Sequence, residues 1–125
     1  MAQSKTILIV EDEANVRTPL ALQLTERGYA VLEAENGKQG LQITLKRHPD
    51  LILLDVLMPV MDGMTMLKRL RQDIWGRDAK VIILTNNDDL RQMADALGER
   101  AFDYLVKVNW TIASVIVKIQ QRLAE

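Results

Sequence analysis

The stretch Asp50-Leu51-Ile52-Leu53-Leu54-Asp55 decides the fold: four consecutive aliphatic residues closed on both sides by carboxylates. A strand with one wet face alternates apolar and polar residues, whereas a strand covered on both faces is apolar throughout. Leu51 to Leu54 therefore predicts a central strand of a sheet sandwiched between helices. Asp55 falls where that strand leaves the core.

The same kind of run recurs on either side. Short segments rich in Ile, Leu and Val span Thr6 to Val10, Tyr29 to Ala34, Lys80 to Leu84 and Phe102 to Val106. Counting Leu51 to Leu54, four of the five runs are nearly continuous in apolar residues, whereas Tyr29-Ala30-Val31-Leu32-Glu33-Ala34 is more mixed, which suits a place nearer a sheet edge. Helical spacing fills the gaps. Val16, Leu20, Ala21 and Leu24 mark a first helix ending near Gly28, and Gly40, Leu41, Thr44 and Leu45 mark a second, stopped by His48-Pro49. Met64, Leu67, Leu70 and Ile74 mark a third. Leu90, Met93, Ala94 and Leu97 mark a fourth, closed by Gly98. Ile112, Val115, Ile116, Ile119 and Leu123 mark a fifth. Five strand-then-helix units predict an α/β domain with a parallel sheet and right-handed crossovers. Pro19 lies well inside the first helix and predicts a kink or an open hydrogen bond there.

At 125 residues the chain has the size of one domain with a continuous core. Its 48% hydrophobic content fits a compact domain and not a disordered tail. The 16 basic and 17 acidic residues nearly cancel, so charge gives no signal for nucleic acid or membrane. The absence of cysteine excludes disulfide scaffolds, thiol nucleophiles and cysteine-based metal sites, and it is compatible with a reducing cytoplasm. The first apolar run is too short for a signal peptide, and no stretch reaches membrane-spanning length. No linker, repeat or low-complexity segment interrupts residues 1–125. The expectation is one domain, with no output domain after the fifth helix.

Ligands of an open α/β sheet collect at the carboxyl ends of the strands. Glu11 and Asp12 follow the first strand, Asp55 the third, Thr85 the fourth and Lys107 the fifth. Any one of these taken alone is more simply a cap, a turn or a solvated surface residue. Their recurrence at successive strand ends is what carries information. Carboxylates gathered at one sheet end repel each other and resist desolvation unless a cation joins them. Mg²⁺ fits an all-oxygen set, and the only histidine, His48, adjoins a helix stop. No phosphate-binding glycine loop or dinucleotide fingerprint is present, so nucleotide chemistry is not expected. A carboxylate can attack phosphorus, and a metal, an ammonium and a hydroxyl can stabilise the charge that develops. In that chemistry Asp55 suits the nucleophile, Asp12 the metal ligand, and Lys107 and Thr85 the donors to phosphoryl oxygens.

Across essentially its whole length the chain resembles a response-regulator receiver domain of two-component signalling, of the single-domain chemotaxis-regulator kind. The resemblance rests on Ile7-Leu8-Ile9-Val10-Glu11-Asp12-Glu13, on Asp50 through Pro59, and on Asp62-Gly63, Leu84-Thr85 and Tyr104-Leu105-Val106-Lys107. It implies a flavodoxin-like (βα)5 fold with strand order 2-1-3-4-5. Asp55 would be the phosphoacceptor, served by a sensor histidine kinase or a phosphotransfer protein. Asp12 would bind Mg²⁺ directly, Glu11 through water, and Leu57 by its backbone carbonyl. Lys107 would pair with the phosphoryl group, while Thr85 and Tyr104 would switch together. The face formed by the fourth helix, fifth strand and fifth helix would then change its preferred partner, a shift between two populations. A homodimer through that face is left open. The implied protein is cytoplasmic and binds neither nucleic acid nor membrane through this domain. It is not an enzyme, beyond hydrolysis of its own aspartyl-phosphate.

Two positions depart from the family pattern. Asn86 stands where a small residue usually follows the switch threonine, which would slow phosphotransfer or, through a held water, alter dephosphorylation. Val108 follows Lys107 in place of a cis proline; a trans bond is expected, because a cis bond before valine is far costlier. The loop Val108-Asn109-Trp110 should differ accordingly, with Trp110 either anchoring the last helix or meeting a partner. These departures keep alive a phosphorylation-independent scaffold. The same residues would also serve as the N-terminal domain of a longer transcriptional regulator. A Mg²⁺-dependent phosphatase for other substrates would need a lid, and no insertion is large enough for one.

Overall fold

A computed structural model of the chain describes residues 4–55, 58, 60–85, 102–106 and 111–124. Among them are strands β1 (Thr6–Val10), β2 (Ala30–Ala34), β3 (Leu51–Asp55), β4 (Val81–Thr85) and β5 (Phe102–Val106). All pair in parallel, in the order β2-β1-β3-β4-β5. Helices α1 (Ala14–Glu26), α2 (Gly37–Arg47) and α3 (Gly63–Gln72) follow the first three strands, and a C-terminal helix (Ile112–Leu123) follows β5. This is the doubly wound, flavodoxin-like arrangement expected from the sequence. The fourth helical stretch, read from Leu90 to Leu97, lies outside the described residues. Among the described residues no helix is long and apolar enough to cross a membrane.

Alternation along the central strands builds two cores. Leu8 and Val10 of β1, Ile52 and Leu54 of β3, and Val81 and Ile83 of β4 meet Met64, Met66, Leu67 and Leu70 of α3. Ile7, Ile9, Leu51, Leu53, Ile82 and Leu84 point the other way, onto Leu20 and Leu24 of α1 and Val115, Ile116 and Ile119 of the C-terminal helix. Leu51 to Leu54 are all fully buried, as a strand covered on both faces requires. Each such side chain contributes about 1.5–3 kcal/mol by leaving water. β2, by contrast, is an edge strand with an exposed Glu33, which explains its mixed composition.

Polar caps fix where the helices start. Asn36 accepts from the Gln39 amide and Asp62 from the Thr65 amide, while Thr111 and Ser114 form a reciprocal capping box. Glu13, before α1, makes no such bond. α1 ends at Arg27-Gly28, where Gly28 takes a φ of 93° that side chains resist. α2 ends at His48 in the left-handed region, immediately before Pro49. Pro19 does not terminate α1; it removes one amide, the partner the Asn15 carbonyl would otherwise have, while helix continues to Glu26.

Two apolar residues read as core lie outside it. Leu45 is 40% exposed and Ile74, beyond the end of α3, is 86% exposed. The helical period assigns both to the apolar stripes, but α2 turns its Gly40 and Thr44 inward and α3 stops at Gln72, before Ile74. Trp75 packs against the α3 side of the core and also stacks on His48 with ring centroids 4.2 Å apart.

The segment after β3 carries two backbone constraints. The Gly37 amide at the start of α2 donates to the Met61 carbonyl at 2.9 Å, and a Cβ on Gly37 would collide with that same oxygen. Val60 has a φ of 70°, a conformation in which a β-branched residue is strained by about 1–3 kcal/mol. Its side chain is 76% exposed, so little packing is returned for that strain. Val60→Gly is therefore expected to raise stability by about 1 kcal/mol in urea denaturation, after allowing for the greater chain entropy of glycine. A fall in the urea midpoint would show that the valine side chain compensates for its own backbone.

Candidate functional site

Register brings the acids together. β1 and β3 are neighbours that pair Ile7 with Leu51 and Val10 with Leu54. One step further along, Glu11 follows β1 and Asp55 closes β3, so the pairing sets these two residues side by side. Glu11 is fully buried, Asp55 is 4% exposed, and Asp12 is exposed at the rim. All three present carboxylate oxygens within 4.8 Å of one another. Two unit charges about 5 Å apart repel by on the order of 3 kcal/mol at an effective dielectric of 20.

Glu11 is held through both its main chain and its side chain. Its amide donates to the Ala34 carbonyl of β2 at 3.0 Å. Its carbonyl accepts from Nη1 of Arg17 at 2.7 Å, and its Oε1 accepts from the Glu13 amide at 3.3 Å. Main chain and side chain are thus both fixed before any ligand arrives. The donor set is entirely oxygen, part buried and part rim, and it suits a hard divalent cation that retains some water. Nothing in it resembles the imidazole or thiolate sets of zinc.

The remaining expected residues are placed less completely. Thr85 ends β4 one residue beyond Leu84, which pairs with Asp55, so its backbone stands at the same carboxyl edge. Tyr104 lies in β5 opposite Ile83. The side chains of Thr85 and Tyr104 lie outside the described structure, as do Leu57, Asn86, Lys107, Val108, Asn109 and Trp110 altogether. Arg17 was not among the residues singled out from the sequence. Its place in the first turns of the helix after the acidic pair was the available signal, but its partners Glu33 and Glu35 belong to β2 and the turn after it. A separate cleft of about 340 Å³, lined by Lys5, His48, Asp50, Trp75 and Lys80 among others, opens at the amino ends of the strands, away from these carboxylates.

Fold and cluster together define a doubly wound α/β domain with an acidic pocket at its carboxyl edge. Residues 7–119 match the family model for the response regulator receiver domain. The phosphate regulon transcriptional regulatory protein PhoB of Pseudomonas aeruginosa is 41% identical over 103 residues, covering 82% of this chain and 45% of that protein. The chain thus spans about half the length of the curated relatives it matches. Among solved structures, response regulator TrrA of Thermotoga maritima, in complex with Mg²⁺-BeF, superimposes with a TM-score of 0.80 at 31% identity, covering 94% of this chain and 98% of that one. The receiver domain of a sensor histidine kinase from Pseudomonas aeruginosa PAO1, with a magnesium ion coordinated in its active site cleft, gives 0.84 at 28% identity, covering 98% and 99%.

The chain belongs to the response regulator receiver domain family, the phosphorylation-dependent signalling domains of two-component systems.

Proposed function

We propose that residues 1–125 form one receiver domain that accepts a phosphoryl group on Asp55 from a sensor histidine kinase or a phosphotransfer protein. The observation that carries this reading is the convergence of Glu11, Asp12 and Asp55 at the carboxyl edge, two of them buried. Gathering these carboxylates costs free energy that a bound cation would offset, and such clusters concentrate at functional sites. Mg²⁺, when bound, supplies positive charge to the phosphoryl oxygens. Asp12 would hold it directly, Glu11 through water, and the backbone carbonyl of Leu57 would complete the protein ligands. An Asp55 carboxylate oxygen forms the new P–O bond as the donor's P–N bond breaks, and the imidazole departs after taking a proton. Asp55 is 4% exposed and Asp12 is exposed beside it, so the donor has to approach a largely buried carboxylate. Lys107 and Thr85 receive the phosphoryl oxygens, and Thr85 and Tyr104 carry the change to the face of the fourth helix, β5 and the C-terminal helix. Partner docking or pairing of two copies follows there, in the cytoplasm, where a kinase can supply the phosphoryl group. The domain's own chemistry ends with slow hydrolysis of that aspartyl-phosphate.

The half-length match to PhoB supports a second reading of context, in which this receiver is the N-terminal part of a longer transcriptional regulator. The site chemistry is the same in both.

Incubation with acetyl phosphate and Mg²⁺ is expected to add one phosphoryl mass to the intact chain and none to Asp55→Asn; an equal adduct on the variant would move the acceptor elsewhere. Mg²⁺ alone is expected to raise the melting temperature of the wild type. At a hundredfold excess over Kd the stabilisation is about 2.7 kcal/mol, and Asp12→Asn should lose most of it. An unchanged response in Asp12→Asn would remove that residue from the ligand set.

A further inference from the structure

We infer that Arg17 is a positioning residue for the acidic pocket, a role that rests on the Mg²⁺-binding reading of Glu11, Asp12 and Asp55. Arg17 stands in the second turn of α1, with its side chain 12% exposed. Its Nη1 donates to the Glu11 carbonyl at 2.7 Å, while its Nε donates to Oε1 of Glu33 at 3.2 Å. Nη2 lies 3.9 Å from Oε1 of Glu35. One guanidinium therefore ties the end of β1, the end of β2 and the start of α1 together at the point where the acidic pair emerges. A planar fork with fixed donor directions can do this, and a single ammonium cannot.

The charges make the arrangement more than a brace. A free cation this close to Glu11 and Asp12 would compete with a divalent ion for them. Glu33 and Glu35 draw the guanidinium toward β2, and its contact with Glu11 is made to the neutral carbonyl. Arg17 thus orients the backbone of Glu11 and Asp12 while its charge is balanced on the far side. Partners that orient ligand residues in this way typically govern metal affinity by about tenfold or more.

Charge and position predict opposite signs, which allows a clean test. If Arg17 acted only as a positive charge near the pocket, Arg17→Met would tighten Mg²⁺ binding and Arg17→Lys would leave it alone. As a positioning residue, both substitutions should weaken Mg²⁺ binding, by about tenfold for methionine and somewhat less for lysine. Mg²⁺ titration by calorimetry on the whole chain reads this directly, with ¹H–¹⁵N spectra following the amides of Glu11, Asp12 and Glu13 without metal. Those amides should shift in both variants. Glu33→Gln, which loosens the guanidinium without touching Glu11, should weaken binding in the wild type and add nothing in the Arg17→Met background. It also carries the test should Arg17→Met fail to fold. Unchanged or tighter binding in Arg17→Met and Arg17→Lys, or fully additive effects of Glu33→Gln, would overturn the assignment while leaving the pocket intact. Failure of the wild type itself to bind Mg²⁺ would instead bring down the pocket's reading and this role with it.

Discussion

The pairing of β1 with β3 is the constraint on which the rest depends. It sets Ile7 through Val10 against Leu51 through Leu54, and by extension Glu11 against Asp55. A one-residue slip would turn every one of these side chains to the opposite core and separate the two acids. Eight fully buried aliphatic residues on two strands resist that slip, because each would exchange one well-packed layer for another of different shape. The apolar interior thus does the work of placing charge. Two buried carboxylates side by side would not assemble by their own interactions.

The two layers around that pairing differ in character. The face covered by α1 and the C-terminal helix is packed with Ile, Leu and Val, which have few rotamers and resist deformation. The face toward α2 and α3 includes Met64 and Met66, with Met58 and Met61 packed at its margin. Unbranched thioethers adjust to small displacements without opening cavities. They lie along or just beyond the segment that follows Asp55, which is tied to α2 by the bond from the Gly37 amide to the Met61 carbonyl. Asp55 therefore borders packing able to accommodate a modest change.

Much of this was legible in the sequence because two periodicities carry it. Continuous apolar runs gave the buried strands to within a residue, and the mixed run from Tyr29 to Ala34 correctly marked an edge. The acids were legible because strand ends in such a sheet converge. Leu45 and Ile74 were misjudged because a helical period says which residues share a stripe, but not how deeply a helix seats or where it stops. Val60 gave no signal at all: residue preference disfavours a positive φ at a β-branched residue, so nothing in the sequence points to one there. Arg17 was passed over for a different reason. Its significance comes from Glu33 and Glu35, sixteen and eighteen residues away, which a sheet crossover brings alongside.

The topology also supplies part of the electrostatic compensation, and magnitudes show how much. Parallel strands joined by helices start each helix at the carboxyl edge, so the amino ends of α1, α2 and α3 are all directed there. Each helix end offers negative charge about 0.3–1 kcal/mol when exposed, and more when partly buried. Repulsion among the carboxylates is on the order of 3 kcal/mol for each close pair. Three pairs are formed by Glu11, Asp12 and Asp55, so the dipoles offset only a fraction of their mutual cost. A divalent cation at the edge would offset far more of it than the helix ends do. Arg17 is turned toward Glu33 and Glu35 and contributes only through a carbonyl. An arrangement that gathers acids, fixes their backbone and turns the Arg17 guanidinium toward Glu33 and Glu35 is suited to a divalent cation.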